Sequence, residues 1–433
     1  MSTPAPGASA EPGRAARTPY AALLLVGLGG LFAGVTGPLL STFVPLLVRD
    51  ALGEQRTAIG AVMAIDNVLL LLLVPWAGAA ADRASARGRG RLPLVHSGLV
   101  LAGVGMASFP SSAVLGITGL IGAIVVLYSG INLQRAPFQA LLVDLVPSRD
   151  RSLASGSVTF QMCVGAIVFL MLGRVLGMRP AFLIAAGTVW LIAGAFALGL
   201  REPAVSESPS AEASFASLLE AARSAARGVV PGMRAIFVAS LLLQLTFQTF
   251  TTWYALHGTE RFGVRPEEVT SGFIAWAVGG VIGALPAGVL GARLGRRNAM
   301  LLGFGLMAVC LVALDRVTQA AHATPLLALA SACWTFPTVN AYPLFVEPIP
   351  PRRRGVLAAL FLLCSALGGA VGDPLNGGLF DLLGGYRPLF LMMAGYTALA
   401  FVAVLFVPRG TGEAGTGPST AAPSPSPRVG ARP

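Results

Sequence analysis

The sequence predicts an all-α membrane protein of twelve transmembrane helices, arranged as two related six-helix halves. Three observations carry that prediction. Of the 433 residues, 55% are hydrophobic and 11% are charged, whereas a soluble chain carries about 25% charged residues. The charges gather in short loops, and the stretches between them run about 18–25 residues, enough to cross ~30 Å of hydrocarbon at ~1.5 Å per residue. Finally, three loop motifs of the first half recur in the second half at nearly one offset. A transmembrane barrel would show alternating segments of about ten residues, and the chain has none.

The spans read as roughly 20–47, 58–81, 92–109, 114–143, 153–176, 180–200, 234–257, 268–292, 299–314, 324–346, 355–381 and 386–407. The first begins near Tyr20, is too long for a signal h-region and is followed by no A-x-A cleavage site. Residues 1–18 and the Pro/Ser/Thr/Gly/Ala-rich tail 409–433 are expected to be disordered and cytoplasmic. The two bundles are then 19–200 and 234–408, joined by a linker over 201–233. Within the linker, 212–228 reads as a short amphipathic helix, with Phe215, Leu218 and Leu219 on one side and Arg223 and Arg227 nearby, suited to the membrane surface.

All basic residues are Arg. Twenty-one of them fall on the side holding the N-terminus, the even-numbered loops and the tail; eight fall on the other, and Arg135 lies within a span. That excess places both termini in the cytoplasm of an inner (plasma) membrane protein and requires an even number of spans. The net charge of +11 does not point to nucleic acid, because the arginines sit between apolar spans and not on one soluble face.

The repeats fix the two-half reading. Gly177-Met-Arg179-Pro180-Ala-Phe182-Leu183 matches Gly385-Tyr-Arg387-Pro388-Leu-Phe390-Leu391 at an offset of 208. Asp144-Leu-Val-Pro147-Ser-Arg149-Asp-Arg151 matches Glu347-Pro-Ile-Pro350-Pro-Arg352-Arg-Arg354 at 203, and Gly78-Ala-Ala-Ala-Asp82-Arg83 matches Gly288-Val-Leu-Gly-Ala292-Arg293 at 210. Parallel repeats of this kind enclose a cavity between the halves and support alternating access.

Gly288-Val-Leu-Gly-Ala292-Arg293-Leu-Gly295-Arg296-Arg297 resembles the loop motif G-x-x-x-D-R-x-G-R-R of the major facilitator superfamily, with Ala292 in place of Asp. The first-half copy keeps Gly78, Asp82 and Arg83 and then departs into Ser85 and a longer Arg-rich run. A narrower resemblance rests on Asn132-Leu-Gln134-Arg135-Ala-Pro137-Phe-Gln-Ala140-Leu141-Leu-Val-Asp144-Leu-Val-Pro147. This stretch looks like helix 4 of the sucrose-transporter-like branch, related to the glycoside–pentoside–hexuronide:cation symporters. Asp66-Asn67 with Pro75-Trp-Ala-Gly78 fits helix 2 of its bacterial members, and Asn340-Ala-Tyr342-Pro343 before Glu347 fits helix 10. The resemblance implies a sugar-class substrate carried with a cation, usually H⁺. Val74 and Leu70 stand where melibiose-type relatives carry two Asp, which disfavours their Na⁺ site.

Charges within spans are costly and are functional candidates by default. Asp66 is the leading candidate for proton coupling; the alternative is a carboxylate bonded to a neighbouring helix or facing water at the mouth. Asp373, before Pro374 in span 11, is a second, with an outer helix end as the alternative; Pro374 permits a break there. Arg135 suits substrate hydroxyls or a carboxylate through its fork of donors, or pairing with a cavity Asp, or gating. In span 7, Gln244 and Gln248 lie four apart on one face, Thr251 or Thr252 continues it, and Trp253 and Tyr254 follow. Amides beside aromatic faces fit a sugar, although Gln and Thr also join helices in bilayers. Asn67, Gln134, Gln161, Asn340, Tyr342 and Asn376 complete the candidate substrate set.

Asp144 and Glu347 end spans 4 and 10, each followed by Pro and Arg, and read as cytoplasmic gate elements. Asp82, Arg83, Arg151, Arg293, Arg296, Arg297 and Arg354 would complete charge networks closing that side. No Walker A loop is present, so ATP is not the energy source, and no enzyme signature or cofactor motif is found. Cys163, Cys310, Cys333 and Cys364 form no CxxC or Cys/His spacing, and His96, His257 and His322 are scattered, so no metal is expected. The expected partners are a small-molecule substrate, a co-transported cation, H⁺ by preference, and the lipid bilayer, with the chain acting as a monomer.

Overall fold

The computed structural model describes residues 20–146, 150–200, 232–346 and 354–408, with single positions between 202 and 227. The expected tails and most of the linker, including most of 212–228, lie outside the described residues. So does Glu347, and so do the side chains of Arg151, Tyr342 and Arg354.

The described chain is helical. In order, the elements are α1 (Tyr20–Leu52), α2 (Arg56–Met63), α3 (Ile65–Ala86), α4 (Leu92–Ser112), α5 (Gly116–Leu145), α6 (Arg151–Leu176) and α7 (Met178–Gly199), followed by α8 (Met233–Phe262), α9 (Pro266–Leu294), α10 (Arg296–Arg316), α11 (Ala320–Val346), α12 (Arg354–Ala370), α13 (Gly372–Leu383) and α14 (Leu389–Leu405). Nine segments of 21–31 residues among the described residues are long and apolar enough to cross a bilayer, counting α2–α3 as one. With α11, the interrupted pair α12–α13 and the 17-residue apolar α14, the spans number twelve.

The pairing of helices repeats between the halves. α1 packs on α6 and α8 on α12; α4 on α5 and α10 on α11; α3 on α5 and α9 on α11; α4 on α7 and α10 on α14. Small residues allow these approaches. A Cβ at Gly279 or Gly283 would collide with the carbonyls of Ala328 and Ala332, so α9 and α11 touch backbone to backbone. Rings fill the gaps elsewhere, as where Phe182 meets Phe43 and Phe109 at centroid separations of 6.2 and 5.4 Å.

The turn glycines of the repeats have a backbone reason. Gly295, between α9 and α10, holds φ 80° and ψ 144°, and Gly177, between α6 and α7, holds φ 80° and ψ 177°, a region essentially reserved for Gly. The two halves meet along α2–α3 against α12–α13, along α6 against α9, and along α1 against α8. Two interruptions mark the first of these seams. Span 2 breaks at Ala64 and span 11 at Val371, so that Asp66 and Asp373 each lie in the first turn of the helix that follows. An acid in a first helical turn faces the positive end of the helix dipole.

Candidate functional site

A cavity of about 900 Å³ lies between the halves. It extends along α5 and α6 to Leu142 and Ser155, near the face where Tyr20 begins α1, and it stops at Ser41, Met63 and Phe273 on the way to the opposite face. Its wall on α5 is one helical stripe: Tyr128, Ile131, Arg135, Phe138 and Leu142, spaced three or four apart.

Of the candidates named from the sequence, Asp66, Gln134, Arg135 and Gln248 line this cavity. Asp66 is the acid of the wall; its Oδ1 is buried and has no hydrogen-bond partner. Arg135 is exposed to the cavity, and its charge acts on Asp66 without an ion pair forming. Gln134 Nε2 donates at 3.4 Å to the carbonyl of Ile131. Gln248 Nε2 donates to Asp373 Oδ2 at 3.2 Å and to Thr252 Oγ1 at 3.4 Å. Asp373 is fully buried behind Gln248, with Thr252 and Trp253 also facing its carboxyl. The charges of Asp66 and Asp373 act on each other and on the buried Tyr128. The two acids come from opposite halves.

Other expected ligands do not line the cavity. Trp253 is fully buried, with its ring 5.1 Å from Phe380 and 5.9 Å from Tyr386. Asn340 Nδ2 donates to the carbonyls of Ala287 at 3.1 Å and Phe336 at 2.9 Å, which ties α11 to α9. Asn376 Nδ2 donates to Thr249 at 2.8 Å and its Oδ1 accepts from Tyr396 at 2.7 Å. Gln161 donates to the Leu24 carbonyl at 2.9 Å. Gln244 packs on Gly368, and Asn67 packs on Gly369. The amides of Asn340, Asn376 and Gln161 join helices, because an amide in a dry interface gains most by bonding a neighbouring helix.

Of the gate candidates, Asp82 and Asp144 both bind Arg91, the first at 3.0 Å. The N–H groups of Arg91 and Leu92 donate to the Glu202 carboxylate at 2.6–2.8 Å. Every one of these described groups belongs to the first half, and together they brace that bundle. Arg297 donates to the carbonyls of Val407 at 2.8 Å and Leu405 at 3.0 Å, capping the end of α14 within its own half. Arg83 and Arg293 are exposed, and Arg296 begins α10.

Among the described residues, a polar contact between the halves lies at the opposite face. The N–H groups of Arg56 and Thr57 donate to Asp381 at 3.1 and 2.9 Å, and the Thr57 hydroxyl donates at 2.6 Å. The Arg56 guanidinium lies 3.7 Å from Asp381, 4.0 Å from Glu260 and 4.9 Å from the centre of the Tyr386 ring. Arg49 donates to Thr259 at 3.2 Å. A Cβ at Gly60 would strike the Asp373 carbonyl, and one at Gly377 would strike that of Arg56. The cavity is therefore sealed on this side.

An aromatic wall was also not expected from the sequence. Phe247, Phe250, Phe273 and Trp276 line the second-half side. Phe250 stacks on Trp276 at 4.1 Å, and Phe247 stacks on Trp334 at 5.0 Å. The signal available was the recurrence of Phe and Trp at helical spacing in spans 7 and 8, which reads equally as core.

The whole chain matches the Major Facilitator Superfamily, over residues 26–314 and again over 236–430. The chain belongs to that family, whose members are transporters and not enzymes. Comparison with curated protein sequences gives no match. Among solved structures, it is similar to the nucleoside transporter NupG, at TM-score 0.68 and 14% identity, covering 89% of this chain and 98% of that one. It is also similar to a bacterial homologue of the human lysosomal transporter Spinster in its inward-facing, unoccupied conformation, at TM-score 0.70 and 15% identity over 90% and 98% of the two chains. A D-xylose–proton symporter superposes at TM-score 0.68 and 17% identity over 90% and 98%. At these identities the likeness is one of fold.

Proposed function

We propose that this transporter carries a sugar or glycoside together with a proton by alternating access. It sits in the inner (plasma) membrane with both termini in the cytoplasm, so that the cavity faces inward and the Arg56 face is the outer one. The observation that carries the reading is the pair Asp66 and Asp373 at the seam of the halves: a half-buried acid lining a cavity of substrate size, and a fully buried acid from the other half. An acid held away from water at a moving interface is suited to taking up and releasing a proton. Opening the Arg56 face requires α2–α3 to part from α12–α13, which separates Asp66 from Asp373 and wets both. The resemblance of span 4 to the sucrose-transporter-like branch supports the substrate class, and Gln134, Arg135, Gln139 and Gln248 supply donors for hydroxyls.

The test is uptake of a small panel of labelled sugars into proteoliposomes under an imposed pH gradient. Accumulation driven by the gradient is expected for one or more of them. Proton-coupled efflux of drugs or metabolites is a second reading, favoured by the aromatic wall. Tighter binding of hydrophobic cations than of disaccharides to the purified protein would establish it in place of the first.

A further inference from the structure

Arg135 is a cation in the interior of a span, exposed to the central cavity, and it forms no hydrogen bond or ion pair among the described residues. Its only described electrostatic partner is Asp66, whose carboxyl does not reach ion-pair distance. These two are the only charged side chains lining the cavity among the described residues. When Asp66 carries a proton, the cavity holds one uncompensated positive charge. A charge in that position is expensive unless it is neutralised, and a guanidinium fork matches a carboxylate with two parallel donors. Across the cavity, Trp276 lines the wall with the fully buried Phe250 stacked behind it at 4.1 Å, and the half-buried Phe247 lies on the same side.

We propose that the cavity selects organic anions of single charge with a ring-bearing body, the carboxylate held by Arg135 and the ring laid on the Trp276 wall. This rests on the transport reading above and narrows its substrate class: an acidic glycoside fits and a neutral one lacks the group that Arg135 binds. It also bears on the direction of coupling. A bound anion and a proton on Asp66 together leave the cavity neutral, so the two loads favour one another and travel together. A cationic cargo meets Arg135 with like charge.

A matched pair of probes tests this: 4-nitrophenyl β-D-glucuronide and 4-nitrophenyl β-D-glucoside, which differ only in the carboxylate. Their binding to the purified full chain in lipid nanodiscs is measured by calorimetry at one pH. The glucuronide is expected to bind about tenfold more tightly, the difference made by one charge-assisted, two-donor contact. Arg135→Gln is expected to abolish that preference, so that the two probes bind with equal affinity. Arg135→Lys, which keeps the charge and loses the fork, is expected to weaken the glucuronide alone by a few-fold. If Arg135→Gln does not fold, the lysine variant decides, since an equal loss for both probes overturns the proposal. Equal binding of the two probes to the native protein, or a preference that survives in Arg135→Gln, also overturns it while leaving glycoside transport standing. Binding of neither probe overturns both.

Discussion

Asp381 of the second half caps the helix that Arg56 of the first half begins: its carboxylate accepts both N–H groups of that first turn, Arg56 at 3.1 Å and Thr57 at 2.9 Å. A cap normally comes from the residue just before its own helix, and here Gln55 makes no side-chain cap bond. The halves thus share a helix terminus, and the favourable placing of an anion at the positive end of α2 exists only while the Arg56 face is closed. Loss of such a cap costs about 1 kcal/mol. Asp381→Ala is therefore expected to shift the closed-to-open ratio about fivefold towards opening. The measurement is the rate at which a membrane-impermeant maleimide, added at the Arg56 face, labels Thr252→Cys in a background without Cys163, Cys310, Cys333 and Cys364. An unchanged labelling rate would exclude Asp381 as the closing contact.

The same contact predicts a pH dependence. Asp381 stands in the water-facing rim with Glu54, Arg56 and Glu260, at the last turn of α13. Partial burial pushes its carboxyl upward, but the Thr57 hydroxyl, the two amide donors and the Arg56 charge outweigh that and hold it below the usual range. A lowered value means that the charged form is the one the closed state favours. The stabilisation is complete above the ordinary aspartate value of about 4 and is lost as pH falls through the lower value of the closed state. Labelling at Thr252→Cys, divided at each pH by the rate for a freely exposed cysteine so that the falling thiolate fraction cancels, should stay flat from pH 8 to 5 and rise below about pH 4. In Asp381→Asn that rise should be absent.

Much of this architecture is legible in the sequence, because hydrocarbon thickness and loop charge are physical constraints on single segments. The twelve spans and the two-half repeat follow from them, and Pro374 marks the break at Val371. The break at Ala64 has no Pro or Gly to announce it. Which side of a helix faces the cavity is set by tertiary packing. Gln244 and Gln248 share a face by spacing, yet one turn separates a residue packed on Gly368 from one lining the cavity. Asn340 is a polar residue in an apolar span, and only its bonds to Ala287 and Phe336 distinguish an inter-helix tie from a ligand. Arg91 is one of four arginines in its loop, and its pairing with Asp82 and Asp144 depends on how four helix ends converge. Arg56 and Asp381 are 325 residues apart, beyond any local pattern.

Arg91 provides a stability prediction. Its side chain is 3% exposed and lies between Asp82 and Asp144, the latter 7% exposed. Removing one member of a buried ion cluster leaves the others desolvated and uncompensated, at about 3–5 kcal/mol. Arg91→Ala is expected to lower the unfolding temperature in detergent by several degrees, whereas Arg83→Ala, at an exposed position, should leave it within a degree or so. Equal effects of the two substitutions would show that the cluster does not brace the bundle.

Asp66 and Asp373 are distinguished by what surrounds them, and substitution separates their roles. Asp66 reaches the cavity, whereas Asp373 lies behind Gln248, which donates to it at 3.2 Å. Under the proposed coupling, Asp66→Asn removes the carboxyl that would exchange a proton with the cavity. Uptake driven by an imposed pH gradient should fall at least tenfold, while substrate exchange between two loaded sides, which needs no net proton movement, should continue. Asp373→Asn keeps the size and half of the bonding capacity at a fully buried site beside the outer seam. It should weaken driven uptake and also slow exchange, because Gln248 then faces an amide that must turn its oxygen towards it. If Asp66→Asn still accumulates substrate against its gradient, the proton path does not run through this acid. If exchange fails together with driven uptake in Asp66→Asn but not in Asp373→Asn, Asp66 binds substrate and Asp373 carries the proton.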